Sequence, residues 1–193
     1  MDIELIVMGA SWGGLEALDT VLGALPREFR TPIAIAQHRA VDSGSGALAR
    51  LLSLRSGLEV REVGDKDAIE PGGVYLAPPD YHLLVESGGF ALSIEEHVQH
   101  SRPSIDVLLD SAADTYGERV IGVVLTGANE DGARGAKRIK RRGGVVIVQD
   151  PKTAEAAAMP QAAIDSVSVD QILPLDKIAS ALIARCARAV ASE

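Results

Sequence analysis

A chain of 193 residues with 47% hydrophobic but only 3% aromatic residues suits one compact domain, residues 1–193, whose core must be packed from aliphatic side chains. A formal net charge of −8 argues against a broad nucleic-acid or anionic-lipid surface, and no apolar run approaches the roughly 18 residues that a membrane span needs. Asp2 and Glu4 stand where an export signal would be basic, and the single cysteine, Cys186, allows no internal disulfide, so a cytoplasmic protein without membrane insertion is expected.

Ile3, Leu5, Ile6, Val7 and Met8 form a β-favouring run, and Leu15, Ala17, Leu18, Val21, Leu22 and Leu25 recur at helical spacing. Residues 9–14 between them, GASWGG, are therefore a strand-to-helix turn. Gly9, Gly13 and Gly14 let the backbone bend sharply, and the helix start aims free N–H groups and a positive dipole end at the place where Ser11 sits. Gly-x-Ser-x-Gly is the pattern of a nucleophile elbow, but glycine turns also serve dinucleotide sites and serine also caps helices. Ser11 is thus a candidate nucleophile or a structural cap.

Residues 31–37 are almost wholly apolar, as in a buried parallel strand, and His38 closes them. Residues 47–54 read as helix, 58–63 as extended chain and 74–77 as another strand. Segments 82–86 and 90–94 flank Ser87, Gly88 and Gly89 and predict an antiparallel hairpin, which would make the sheet mixed. Pro103 suits a first helical turn ahead of the stripe Ile105, Val107, Leu108, Leu109, Ala112 and Ala113. A strand at 120–125, a polar loop at 126–132, a helix to Arg142 and a strand at 145–148 restore the βαβ rhythm. Segment 154–164 is interrupted at Met159 and Pro160, 166–172 alternates as a strand would, and Pro174 starts a last helix to about Ala191. The fold expected is α/β, a doubly wound, mainly parallel, Rossmann-like sheet with an antiparallel hairpin.

Ligands of such sheets bind beyond the carboxyl ends of the strands. Ser11 follows the first strand, His38 ends the second, and Asp131 lies in the loop after the strand at 120–125. An imidazole beside a serine can take its proton, and a carboxylate can orient and neutralise the imidazolium. Each residue also has a structural reading, and Asp106, Asp80 and Asp150 are rival acids by spacing. Lys137, Arg138, Lys140, Arg141 and Arg142 crowd one helix end, as a solvated terminus or as a docking patch for an acidic partner. Neither a metal nor a cofactor is expected.

GASWGG, the Gln37-His38 pair, VYLAPPDYHLLV at 74–85, SRPSIDVLLDSAA at 101–113, LTGANEDGARG at 125–135 and QDPKTAEAAAMPQAAI at 149–164 occur in order over nearly the whole chain. Together they resemble the catalytic domain of the CheB-type chemotaxis protein-glutamate methylesterases. The resemblance implies Ser11 as nucleophile, His38 as base, Asp131 as triad acid, and the backbone N–H groups of Trp12 and Ala128 at the oxyanion. The order Ser, His, Asp differs from the Ser, Asp, His order of α/β-hydrolases. Trp12 replaces a usual threonine or alanine, and Ala128 and Asn129 replace a usual methionine and glycine; a main-chain donor tolerates the latter change.

The function implied is hydrolysis of glutamyl methyl esters on a chemoreceptor or related signalling protein, with deamidation of receptor glutamines as a second activity. A small-substrate esterase or amidase with the same triad, and a non-catalytic nucleotide-binding or scaffold module, are the rival readings. The sequence shows no receiver domain ahead of the first strand, so activity without phosphorylation is expected.

Overall fold

The strands nearest the centre of the molecule, residues 5–10, 33–37 and 120–124, are buried at every position and almost wholly apolar, and such strands need cover on both faces. The computed structural model describes residues 2–40, 44 and 46–187 and shows how that cover is supplied. Leu5–Ala10 (β1), Gly14–Gly23 (α1), Ile33–Gln37 (β2), Ala47–Ser56 (α2), Val60–Glu62 (β3) and Val74–Leu76 (β4) come first. A hairpin of His82–Glu86 (β5) and Gly89–Ser93 (β6) follows, then Ile105–Tyr116 (α3) and Val120–Val124 (β7). Ala133–Arg141 (α4), Val145–Gln149 (β8), Ala158–Ser166 (α5), Gln171–Leu173 (β9) and Leu175–Cys186 (α6) complete the order.

Seven strands form one sheet in the order β3-β4-β2-β1-β7-β8-β9, and every registered pair in it is parallel. Because side chains alternate along a strand, β1 feeds two cores. Leu5 and Val7 pack with Ile105, Leu109, Ile139 and Met159 on the face of α3, α4 and α5. Ile6 and Met8 pack with Leu18, Leu22, Leu52 and Leu182 on the face of α1, α2 and α6. Gly9 lets α3 lie directly on β1, since a Cβ there would come 2.2 Å from Ile105 Cγ2.

The chain leaves β1 toward β2 on one side and returns beside it as β7 on the other, which opens a crevice at the carboxyl ends of these three strands. That crevice receives the turn after β1, His38 after β2 and the loop after β7.

Four sequence expectations change in detail. The hairpin does not join the main sheet; β5 and β6 form a separate two-stranded sheet, bridged at Gly89 to Ala68, and lie on α3, where the Val85 N–H donates to Ser111 Oγ and Thr115 Oγ1 donates to the Val85 carbonyl. Pro103 precedes α3 instead of entering it, and Ser104 is the N-cap, its hydroxyl accepting from the Val107 N–H. Met159 and Pro160 belong to the first turn of α5, where a missing N–H costs no helical bond. The strand of 166–172 shrinks to Gln171–Leu173 at the sheet edge, and the part of the last helix beyond Ala187 lies outside the described residues.

Candidate active site

The turn after β1 is held from three directions. The Ser11 N–H donates to the Thr126 carbonyl at 2.9 Å, Thr126 Oγ1 donates to the Trp12 carbonyl at 2.8 Å, and Gln37 Nε2 donates to both the Ser11 and His38 carbonyls at 2.9 Å. Gly13, at φ 75°, is the N-cap of α1, so Ser11 is not the cap. Gly14 admits the Gln37 side chain, since a Cβ there would sit 2.0 Å from Gln37 Oε1. With its backbone bound in this way, Ser11 is left with a free hydroxyl to offer.

That hydroxyl lies 3.2 Å from His38 Nδ1, and His38 Nε2 lies 2.8 Å from Asp131 Oδ2. Asp131 is fully buried, yet both its oxygens are satisfied. Oδ2 also accepts from the Ile105 N–H at 2.8 Å, and Oδ1 accepts from the Asp106 N–H at 2.8 Å and from Ser104 Oγ at 3.0 Å. Those donors are the N-cap and first two residues of α3, so the carboxylate of the loop before α4 sits on the N-terminus of another helix. Burial by itself pushes the Asp131 pKa up. The His38 bond and the Asp106 and Ile105 N–H groups outweigh burial and hold it below the ordinary carboxylate value.

An ionised Asp131 accepts and cannot donate, so the proton of neutral His38 stays on Nε2 and the Nδ1 lone pair faces Ser11. The arrangement can therefore draw a proton from the Ser11 hydroxyl and stabilise the imidazolium that results.

The rival acids are occupied elsewhere. Asp80 pairs with Arg102 at 2.5 Å, and Asp150 caps the short turn Pro151–Thr153 by accepting from the Lys152 N–H. Asp106 Oδ1 accepts from the Gly132 and Gly135 N–H groups at 2.9 and 2.8 Å, at the start of α4. Its pKa is pushed up to about 6, chiefly by burial, with the Gly135 N–H opposing and the Asp131 charge adding.

Trp12 is 65% exposed beside Ser11, and Ala128 is exposed in the loop after β7. Among the described residues neither backbone N–H makes a hydrogen bond. Of the basic run, Arg138 and Arg142 pair with Asp114 and Lys140 with Asp170. Among the described residues no cluster of His, Cys, Asp and Glu could hold a metal ion, and no helix is long and apolar enough to cross a membrane.

Sequence reading missed the clamp of Gln37 on two carbonyls, the Ser104 hydroxyl on Asp131 and the approach of Ser101 Oγ to 3.4 Å from His38 Nδ1. Sequence offered no periodic signal for them, because each partner is brought in by the fold; the only clue to Ser104 was its place ahead of an apolar helical stripe.

A doubly wound parallel sheet carrying a serine, a histidine and a buried aspartate in hydrogen-bonded series at its switch point has the geometry of a serine hydrolase. The model of the CheB methylesterase family matches residues 6–182, and the chain belongs to that family. A putative protein-glutamate methylesterase/protein-glutamine glutaminase of Leptospira interrogans is 49% identical over 184 residues, 95% of either chain. The protein-glutamate methylesterase FrzG of Myxococcus xanthus is 41% identical over 93% of this chain, which spans 54% of that relative. The crystal structure of the Thermotoga maritima CheB methylesterase catalytic domain superposes with a TM-score of 0.89 at 36% identity, covering 95% of this chain and 99% of that one.

Proposed function

We propose that this protein is a serine hydrolase that removes methyl groups from glutamyl methyl esters of a chemoreceptor or related signalling protein on the cytoplasmic side, and that residues 1–193 act as one catalytic domain. The observation that carries the reading is the continuous Ser11, His38, Asp131 series, with a lone pair on Nδ1 at 3.2 Å from the hydroxyl. The relatives' names supply the substrate class.

Ser11 Oγ attacks the ester carbonyl as its proton passes to His38 Nδ1, and Asp131 holds the imidazolium that forms. The tetrahedral oxyanion is met by the unpaired N–H groups of Trp12 and Ala128; a donor of this kind is worth about 3 kcal/mol in a well-studied protease. Collapse expels methanol, which takes the proton from Nδ1, and water then releases the glutamate. A glutamine side chain enters the same path with ammonia as leaving group, which accounts for the glutaminase half of the Leptospira relative's name.

The test is methanol release from a methyl-labelled chemoreceptor fragment. The parent protein is expected to release label, while Ser11→Ala and His38→Ala each lose at least about 10³-fold in turnover, because members of one series act as a unit. Either variant working within tenfold of the parent would refute the assignment.

A further inference from the structure

The relay contains a second hydroxyl. Ser101 Oγ lies 3.4 Å from His38 Nδ1, the same nitrogen that Ser11 Oγ approaches to 3.2 Å. Since Nε2–H is given to Asp131, Nδ1 has one lone pair, and two hydroxyls compete for it.

Ser101 is not there by loose placement. Val98 and Ser101 exchange backbone hydrogen bonds of 3.2 and 2.9 Å across a tight turn, with Gln99 and His100 both in the left-handed region at φ 51° and 62°. Non-glycine residues hold such angles at a cost of about 1 kcal/mol or more each, so the surroundings must fix the turn. The residue that follows the turn is anchored: Arg102 gives Nη1 to the Ile94 and Glu95 carbonyls and Nε and Nη2 to Asp80. Two residues further on, Ser104 binds Asp131. One short segment thus serves both ends of the relay.

His38 also lines two recesses. One contains Ser11, Trp12 and Glu155, and is where the proposed attack on substrate takes place. The other, of about 240 Å³, contains Ser101, Arg39, His97 and His100. Its size leaves room for several water molecules.

We propose that Ser101 is a positioning residue for the second half of the reaction, holding the hydrolytic water that enters from this second recess. The proposal rests on the serine-hydrolase reading above. Once Ser11 is acylated its Oγ is an ester oxygen with no proton, and Nδ1 is left to Ser101 and the recess. A water that donates one proton to Ser101 Oγ has its other proton directed at Nδ1. Its oxygen adds to the acyl carbon as that proton moves to Nδ1. Collapse breaks the bond between the acyl carbon and Ser11 Oγ, Oγ takes the proton back from Nδ1, and the released acid ionises. Ser101 itself gains and loses none.

The test uses the full chain and p-nitrophenyl acetate, an ester whose good leaving group makes release of the acyl group limiting. Ser101→Ala is expected to keep the initial burst and kcat/KM within about twofold, while kcat and KM fall together by about tenfold, since only the step after acylation is slowed. Ser101→Thr, which keeps the hydroxyl, is expected to restore both. A merely structural role would lower kcat/KM instead. Unchanged kcat in Ser101→Ala, a fall in kcat/KM equal to the fall in kcat, or a threonine variant as slow as the alanine one would overturn the proposal while leaving the Ser11 assignment standing. A parent protein that forms no acyl adduct on Ser11 would overturn the underlying reading and this proposal with it.

Discussion

Two buried aspartates occupy mirror-image positions and behave oppositely. Asp131, in the loop before α4, lies on the N-terminus of α3; Asp106, in the first turn of α3, lies on the N-terminus of α4. Both are almost inaccessible to water. Asp131 nevertheless has its pKa lowered, whereas that of Asp106 is pushed up to about 6. The difference lies in the partners. Asp131 has donors on both oxygens, including Ser104 and a histidine able to carry charge, while Asp106 has two N–H groups on Oδ1 alone and Arg134 3.7 Å from Oδ2. A helix N-terminus by itself therefore does not decide whether a buried carboxylate is comfortable when ionised; the completeness of its hydrogen bonds does.

The largest effect that can break this comparison is on turnover. Asp131→Asn is expected to lower ester hydrolysis by roughly 10³- to 10⁴-fold, because an amide that donates to Nε2 puts the imidazole proton on the wrong nitrogen. Asp106→Asn is expected to stay within about fivefold, since an amide oxygen can still accept from Gly132 and Gly135. Steady-state rates with circular dichroism as a fold control decide the matter, and the reverse ranking would place the acid at Asp106.

A middle-sized effect concerns stability against pH. A carboxyl whose folded pKa is raised contributes stability that is fully present below the ordinary value of 3.8 and lost as pH rises through about 6. Asp131 works the other way: its lowered pKa contributes stability above the ordinary carboxylate range, lost as pH falls through the depressed value. Denaturant unfolding of Asp106→Asn at pH 5 and pH 8 is therefore expected to show the variant gaining on the parent by about 1–2 kcal/mol more at pH 8. Equal differences at both pH values would mean that the Asp106 carboxyl is not raised.

The smallest effect should come from Arg134, which is 58% exposed and reaches Asp106 only at 3.7 Å. Arg134→Gln is expected to change unfolding free energy by no more than about 0.5 kcal/mol, as exposed ion pairs contribute little. A loss above about 2 kcal/mol would mean that the ion pairs of Arg134, with Asp110 at 3.0 Å and with Asp106 at 3.7 Å, contribute more than exposed pairs do.

Much of this architecture is legible in the sequence, and the aspartate pair shows where legibility stops. Apolar runs and glycine-bounded turns place β1, β2 and β7, and with them Ser11, His38 and the loop of Asp131, because local chemistry decides them. Spacing leaves Asp106 and Asp131 as rivals. Only packing of α3 against α4 shows that one faces His38 and the other a helix start. The hairpin is readable as a hairpin, but its seat on α3 depends on Ser111 and Thr115, more than 25 residues away. Pro103 and Pro160 mislead in opposite directions: Pro103 reads as a first helical residue but lies just before the cap Ser104, whereas Pro160 reads as a break but lies within the first turn of α5.

The central claim, that Ser11 is the hydroxyl activated by this relay, is tested most directly by intact mass after incubation with a serine-directed phosphonate. The account predicts one stoichiometric adduct on the parent, mapped to Ser11 by peptide analysis, and none on Ser11→Ala. An adduct on Ser11→Ala equal to that of the parent would contradict it.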